Sequence, residues 1–289
     1  MFVATIGFFD GVHLGHRCLI NQVLEIAQAR GLQTMVVTMD RHPKCIIAPQ
    51  FVPSLLTTND ERRELLTATG IDKIEFLDFN SEIMLLTARD FMQKVLKEQL
   101  GVAVLVMGYD HKFGHGGGSF DQYLQWGNEC GIEVIRAREL ADVHASSTEC
   151  RKFLMSGDIA RAEALLGHPF CISGIVVAGH GIGRELGFPT ANIEVCKEKL
   201  IPKNGVYEVR VNQSYTGILN IGTRPTLDNG KDRTIEVHLI GYTGNLYGER
   251  LTIQFVRRIR DERKFDSLNE LKAQIRKDLE EAQRTMHNS

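Results

Sequence analysis

No two cysteines of the chain stand in a C-x-x-C pair; Cys18, Cys45, Cys130, Cys150, Cys171 and Cys196 are scattered along it. Paired-cysteine zinc sites are thereby excluded, no disulfide framework is indicated, and the six read as reduced, mostly buried thiols. Long hydrophobic runs are missing too. None approaches the ~20 residues of a membrane span, and the start "MFVATIG" has no basic segment leading into an apolar one with a cleavage site. The expectation is a cytoplasmic protein with no membrane partner. An excess of one charge is also lacking: the formal net charge is -2, which gives no bulk field for nucleic acid. The one basic run, "VRRIRDERK", is interrupted by Asp261 and Glu262 and has few aromatic neighbours. It reads as a solvated face and not as a nucleic-acid reader. Internal repeats and low-complexity tracts are absent.

What is present suits two domains of common size, with 289 residues, 43% of them hydrophobic and 24% charged. Up to about residue 167, short β-rich runs (Phe2–Phe8, Gln33–Met39, Ile74–Phe79, Val102–Met107, Ile132–Arg136) alternate with amphipathic segments (Leu19–Arg30, Asp60–Ala68, Arg89–Leu100, Phe120–Cys130). Glycine follows each amphipathic segment, as a left-handed helix terminator does. This order predicts an α/β doubly wound domain with a parallel sheet over residues 1–167, its ligands bound beyond the carboxyl ends of the strands. After "LLGHPF" the runs shorten and alternate between glycine-rich turns: Ile172–Ala178, Val206–Val211, Gly217–Ile221, Thr234–Ile240 and Leu251–Ile259. Residues 168–289 are therefore expected to form a small antiparallel β-barrel or sandwich. A C-terminal helix follows, capped by Ser267 and Glu270 and striped by Leu268, Leu271, Ile275 and Leu279.

Between the first strand and the first helix lies "IGFFDGVHLGH", Ile6–His16. The unpaired N–H groups and positive dipole of a helix start favour phosphate. Gly7, Gly11 and Gly15 permit tight turns and close ligand approach, while His13 and His16 can offer imidazole donors to one anion. The pattern is a triphosphate cradle without a P-loop lysine. A glycine-rich turn with two surface histidines satisfies the bare H-x-G-H equally well.

The complete "GFFDGVHLGH" resembles the nucleotidyltransferases that share H-x-G-H, and among them the adenylyltransferase module of bacterial bifunctional riboflavin kinase/FAD synthetases. "HPK" (His42–Lys44), "GYDHKFG" (Gly108–Gly114) and "SSTECR" (Ser146–Arg151) stand where that module has its further blocks. Phe8 and Cys150 depart from it, replacing a small polar and an aliphatic residue. The resemblance implies ATP contacts at Gly7, Phe8, Asp10, Gly11, Gly15, Ser146, Ser147 and Thr148, and flavin contacts at His42 and Asp110. Electrostatic catalysis by His13, His16 and Arg151 is implied with them.

In the second half, "GHGIGRELGFPTANI", Gly179–Ile193, has Pro189 in an extended stretch and no helix after it, which argues against a dinucleotide turn. It reads as a flap over phosphates, with Thr190 and Asn192 as oxygen ligands for a hard cation such as Mg2+; a bland glycine-rich loop reads the same way. The whole string resembles the riboflavin kinase signature centred on P-T-A-N. "NIGTRPT" (Asn220–Thr226), "EVHLI" (Glu236–Ile240) and "RDERKFDSLNELKAQI" (Arg260–Ile275) match that module in order. The resemblance adds Gly181 and Gly183 to the ATP contacts and makes Glu236, otherwise an ordinary strand carboxylate, the general base.

Together the two resemblances imply a flavin-cofactor enzyme with riboflavin, FMN and ATP as substrates, Mg2+ as cofactor, and FMN- and FAD-dependent enzymes as downstream users. An adenylyltransferase for another phosphate-bearing substrate, with the barrel as a regulatory module, leaves "PTAN" and Glu236 idle.

Overall fold

The computed structural model describes residues 1–48, 50–108, 112–138, 145–179, 183, 186–225 and 231–286. Contacts divide the chain into two units, Met1–Ser147 and Thr148–Ser289.

The first unit runs β1 (Phe2–Ile6), α1 (Leu14–Arg30), β2 (Gln33–Met39), α2 (Lys44–Ile47), α3 (Asn59–Thr67), β3 (Lys73–Leu77), α4 (Ser81–Leu85) and α5 (Ala88–Asp90). A π-helical stretch, Phe91–Gln99, continues α5 and leads to β4 (Val102–Met107), α6 (Phe120–Cys130) and β5 (Glu133–Arg136). The strands form one parallel sheet in the order β3-β2-β1-β4-β5. Because side chains alternate along a strand, nearly continuous apolar runs such as "FVATI" and "VAVLVM" bury both faces. Ala4, Ile6, Met35 and Leu105 pack with Phe91, Met92 and Tyr123, whereas Val3, Val36, Val104 and Val106 pack with Ile20, Val23 and Leu66. Chain order reverses between β1 and β4, and sheets of this kind bind ligands beyond the carboxyl ends of the strands at such a point.

All five expected strands form. Helix α1 starts at Leu14 and not at Leu19, because His13 serves as its N-cap through extended backbone (φ −66°, ψ 172°) without a side-chain cap bond. The Ser, Thr, Asp or Asn that marks most helix starts is missing there.

The second unit holds α7 from Thr148 onward (Ser147–Ser156), α8 (Ile159–Leu166), β6 (Cys171–Val177), β7 (Ala191–Val195), β8 (Gly205–Val211), β9 (Tyr215–Pro225), β10 (Lys231–Leu239), β11 (Arg250–Arg260) and α9 (Leu268–Met286). Its strands close a barrel in the order β10-β7-β6-β11-β8-β9, every pairing antiparallel. The expectation had five strands here. The sixth, β7, is the "ANIEV" that follows Pro189; in sequence it is a short tail of the glycine-rich stretch, and only its pairing with β6 and β10 makes it a strand.

Along β10, Ile235, Val237 and Leu239 are buried while Glu236 and His238 are half-buried. Glu236 and His238 therefore face away from the barrel interior, toward α9. Leu279 and Ala282 of α9 pack on Val206 and Ile218. Leu268 is 63% exposed, so the apolar stripe starts one turn later, at Leu271. Two arginine forks fasten the helix: Arg260 to the buried Asp278, and Arg257 to Glu208 and Glu281. Helices α7 and α8 attach to the barrel in part through main-chain amides, Lys203 N donating to Leu154 O (3.0 Å) and Phe170 N to Glu163 Oε1 (2.8 Å). No helix among the described residues is long and apolar enough to cross a membrane.

Candidate active sites

The turn after β1 is bent in a way its glycines do not account for. Gly11 takes a left-handed φ of 81°, but so do Phe9 at 53° and Val12 at 39°, positions that cost bulky and β-branched residues of order 1–3 kcal/mol each. Several bonds hold the turn. Gly7 N donates to Val37 O (3.0 Å) and Val12 N to Phe9 O (3.1 Å). The buried Asp10 carboxylate accepts the amides of Leu56 (3.1 Å) and Thr57 (3.0 Å), and Gly11 N donates to Thr57 Oγ1 (3.1 Å). Asp10 thus spends its carboxylate on ordering the turn.

Helix α1 then presents its first N–H groups beyond the strand ends, beside two imidazoles. The His13 and His16 rings stack, and Phe9 stands edge-on to His16 at 5.0 Å. Gly15 is required by close approach: a Cβ there would sit 3.1 Å from Ala145 O and 3.2 Å from the His13 ring. The "SST" block reaches the same turn, since Ser147 Oγ donates to the main-chain oxygen of Asp10 at 2.9 Å. Ser146 directly precedes α7, Thr148 and Arg151 lie on α7 in the second unit, and Cys150 is fully buried in the apolar role of the residue it replaces. At the end of β2, His42 meets Phe8 edge-on (5.0 Å) and Phe51 (5.7 Å). Asp110 and Gly181 lie outside the described residues.

Sequence reasoning missed two residues of this unit. Tyr123, 1% exposed, clamps the loop after β4 by donating to Phe113 O (2.7 Å) and accepting from Phe113 N (2.9 Å). Arg62, in the charged run "NDERRELL", reads as a solvated helix face and is fully buried instead.

On the barrel, Glu236 lies between two asparagines in register, Asn192 of β7 and Asn220 of β9. Neighbours directly opposite share a face, so three polar groups converge outside the barrel wall. Thr190 Oγ1 donates to Glu236 Oε2 at 3.4 Å. His238, also missed from sequence, holds the adjacent backbone by donating from Nδ1 to Pro189 O (2.8 Å). Gly183 closes onto the same segment, and a Cβ there would fall 2.5 Å from Phe188 O and 3.0 Å from Thr190 Oγ1.

Two cavities have Thr190 in their linings. The larger, about 590 Å³, is lined by Val176, Pro189, Leu239, Tyr242, Leu246 and Tyr247. The smaller, about 340 Å³, lies between the strands and α9 and is lined by Asn220, Glu236, His238, Arg260, Phe265 and Leu271 among others. Glu236 lines the smaller cavity, and the hydroxyl bonded to it lines both; a carboxylate so placed can take a proton from a hydroxyl bound beside it.

Residues 1–149 match the family model described as FAD synthetase, and residues 166–286 the one described as riboflavin kinase. A bifunctional riboflavin kinase/FMN adenylyltransferase of Escherichia coli strain K12 is 39% identical over 283 residues, covering 96% of this chain and 90% of the relative. One from Pseudomonas fluorescens is 38% identical over 285 residues, with 96% and 90% covered. A crystal structure described as a macrolide-efflux protein from Streptococcus pneumoniae is 30% identical, with a TM-score of 0.88 over 97% of this chain and 93% of that one.

Proposed function

The chain belongs to the bifunctional riboflavin kinase/FMN adenylyltransferase family, and on that premise we propose which of its residues carry each reaction. It converts riboflavin and ATP to FMN and ADP, then FMN and ATP to FAD and pyrophosphate.

We assign the kinase to residues 168–289. The smaller cavity takes the flavin, with the ribityl terminal hydroxyl toward Glu236, and the larger takes ATP, its γ-phosphate at Thr190. Glu236 accepts the hydroxyl proton as the oxygen attacks phosphorus, and Gly181 and Gly183 belong to the flap over the phosphates. Thr190 and Asn192 supply neutral oxygens, which suit Mg2+ only in company with phosphate oxygens. When bound, Mg2+ neutralises charge on the transferring phosphoryl group. The observation that carries this reading is the register of Asn192 and Asn220 on either side of Glu236, which is bonded to Thr190, a residue in the linings of both cavities.

Adenylyl transfer is assigned to residues 1–167. An FMN phosphate oxygen attacks the α-phosphorus of ATP and pyrophosphate leaves. Gly7, Phe8, Asp10, Gly11 and Gly15 form the turn around the nucleotide, and the α1 N-terminus with His13 and His16 stabilises the charge that develops. Ser146, Ser147, Thr148 and Arg151 are assigned to the leaving pyrophosphate, and His42 and Asp110 to the flavin. We place both reactions in the cytoplasm, with neither nucleic acid nor membrane as a partner and with FMN- and FAD-dependent enzymes as users of the products.

The test is a time course with riboflavin, ATP and magnesium, run beside one that starts from FMN, with flavins separated by chromatography. FMN should precede FAD in the first, and FAD alone should form in the second. FAD appearing from riboflavin without free FMN, in a chain unable to use added FMN, would overturn the two-site reading.

A further inference from the structure

Left-handed backbone at Phe9 and Val12 persists only if the surroundings over-determine it, and one restraint at the root of the turn is a buried cation. Arg62 projects from α3 with no exposed surface. Its guanidinium donates to Phe8 O (2.8 Å), Met39 O (2.6 Å) and Asn59 Oδ1 (2.7 Å). The Thr38 hydroxyl donates to the same Phe8 oxygen at 3.1 Å, and the Phe8 ring lies on the guanidinium at 4.4 Å. One side chain therefore bridges the chain at the ends of β1 and β2, including the residue that enters the strained turn.

A buried charge is costly unless its bonds are well made. Burial draws the pKa of Arg62 down to about 10, with Asp10 and Asp40 offsetting part of the fall through space; it remains protonated at neutral pH. Its bonds go to two main-chain carbonyls and an amide oxygen. A planar fork suits that bridging task, and an apolar side chain of equal volume cannot perform it.

We propose that Arg62 is a positioning residue for adenylyl transfer: with Thr38 it fixes the Phe8 carbonyl, and so the turn that carries His13 and His16 to the nucleotide. This rests on the assignment of that turn to ATP. Direct attack of one phosphate on another depends on alignment, and a shift of about 1 Å costs on the order of a hundredfold in rate.

The experiment uses the full chain and compares Arg62→Met, Thr38→Val and His16→Ala. kcat and KM for FMN and ATP are measured in FAD formation, with kcat normalised to the folded fraction read by circular dichroism, and riboflavin phosphorylation is followed in the same samples. Arg62→Met should lower normalised kcat about a hundredfold, and Thr38→Val by about three- to tenfold, the worth of one hydrogen bond. Both should keep KM and riboflavin phosphorylation near parental values. Parental kcat in a folded Arg62→Met chain, or a change confined to KM, overturns the proposal; if Arg62→Met does not fold, parental kcat in Thr38→Val does so alone. His16→Ala tells the two failures apart. If it loses FAD formation while the others keep it, only the role of Arg62 falls; if it too keeps FAD formation, the site assignment fails.

Discussion

His13 and His16 lie face to face, their ring centroids 3.7 Å apart and their planes within 20°. Each imidazole thus orients the other, and Phe9 buttresses the pair from the side of His16. Removing one ring frees the second to rotate, so their contributions are coupled. His16→Ala should depress FAD formation from FMN by about a hundredfold or more while FMN formation from riboflavin stays at its starting rate. Adding His13→Ala should cost less than it does alone. Equal loss of both reactions in a folded variant would point to one shared site.

Glu236→Gln keeps the size and hydrogen bonding of the side chain but removes its capacity as a base. Riboflavin phosphorylation should fall by about a hundred- to ten-thousandfold, with riboflavin affinity little changed because only the transition state loses help. FAD should still form from added FMN. Phosphorylation within about threefold of the parent, far above that range, would return Glu236 to an ordinary strand carboxylate.

His238 lines the cavity proposed for the flavin and bonds the main chain of Pro189. In His238→Ala the segment bearing Thr190 loses one hydrogen bond, worth about 0.5–1.5 kcal/mol. Riboflavin kinase kcat/KM should drop by about three- to tenfold, with adenylyl transfer unaffected. His238→Asn should recover part of the loss if its amide reaches Pro189 O. No difference between the Ala variant and the parent would show that Thr190 needs no such support.

Residues 168–289 and 148–289 should both fold and phosphorylate riboflavin, but the longer fragment should be the more stable. It keeps the bonds from Glu163 to Phe170 and from Leu154 to Lys203, along with the buried Ile159, Ala162 and Leu166 of α8. Each large apolar side chain lost from burial removes about 1.5–3 kcal/mol. Equal melting temperatures would show that α7 and α8 contribute nothing to the barrel. A folded shorter fragment that makes no FMN would show that the kinase does not end at its own core.

Much of this was legible because local rules and the global fold agree. The apolar runs of β1, β2 and β4 could only be buried strands, and Gly31 and Gly131 end their helices in left-handed conformation, with φ of 63° and 67°, as their positions require. The motifs gave the candidate residues of both proposed sites, but their mutual arrangement depends on pairing across the chain. Glu236 acquires Asn192 and Asn220 as neighbours only through register, which no linear pattern encodes. Arg62 stayed hidden because "NDERRELL" carries the charge of a solvent face, and nothing local tells which of two adjacent arginines turns inward. The strain at Phe9 and Val12 was equally invisible, since a left-handed backbone is looked for at glycine.

Thr190 is in the linings of the two cavities described above, so on the proposed assignment a flavin in one and a nucleotide in the other approach the same residue. No side chain needs to carry the phosphoryl group between them. One displacement, with entry and departure on opposite sides of phosphorus, reverses the handedness of that atom. In stereochemical terms, a γ-phosphate made chiral with oxygen isotopes and sulfur should emerge in FMN inverted, whereas a phosphorylated enzyme intermediate would return it with its configuration retained.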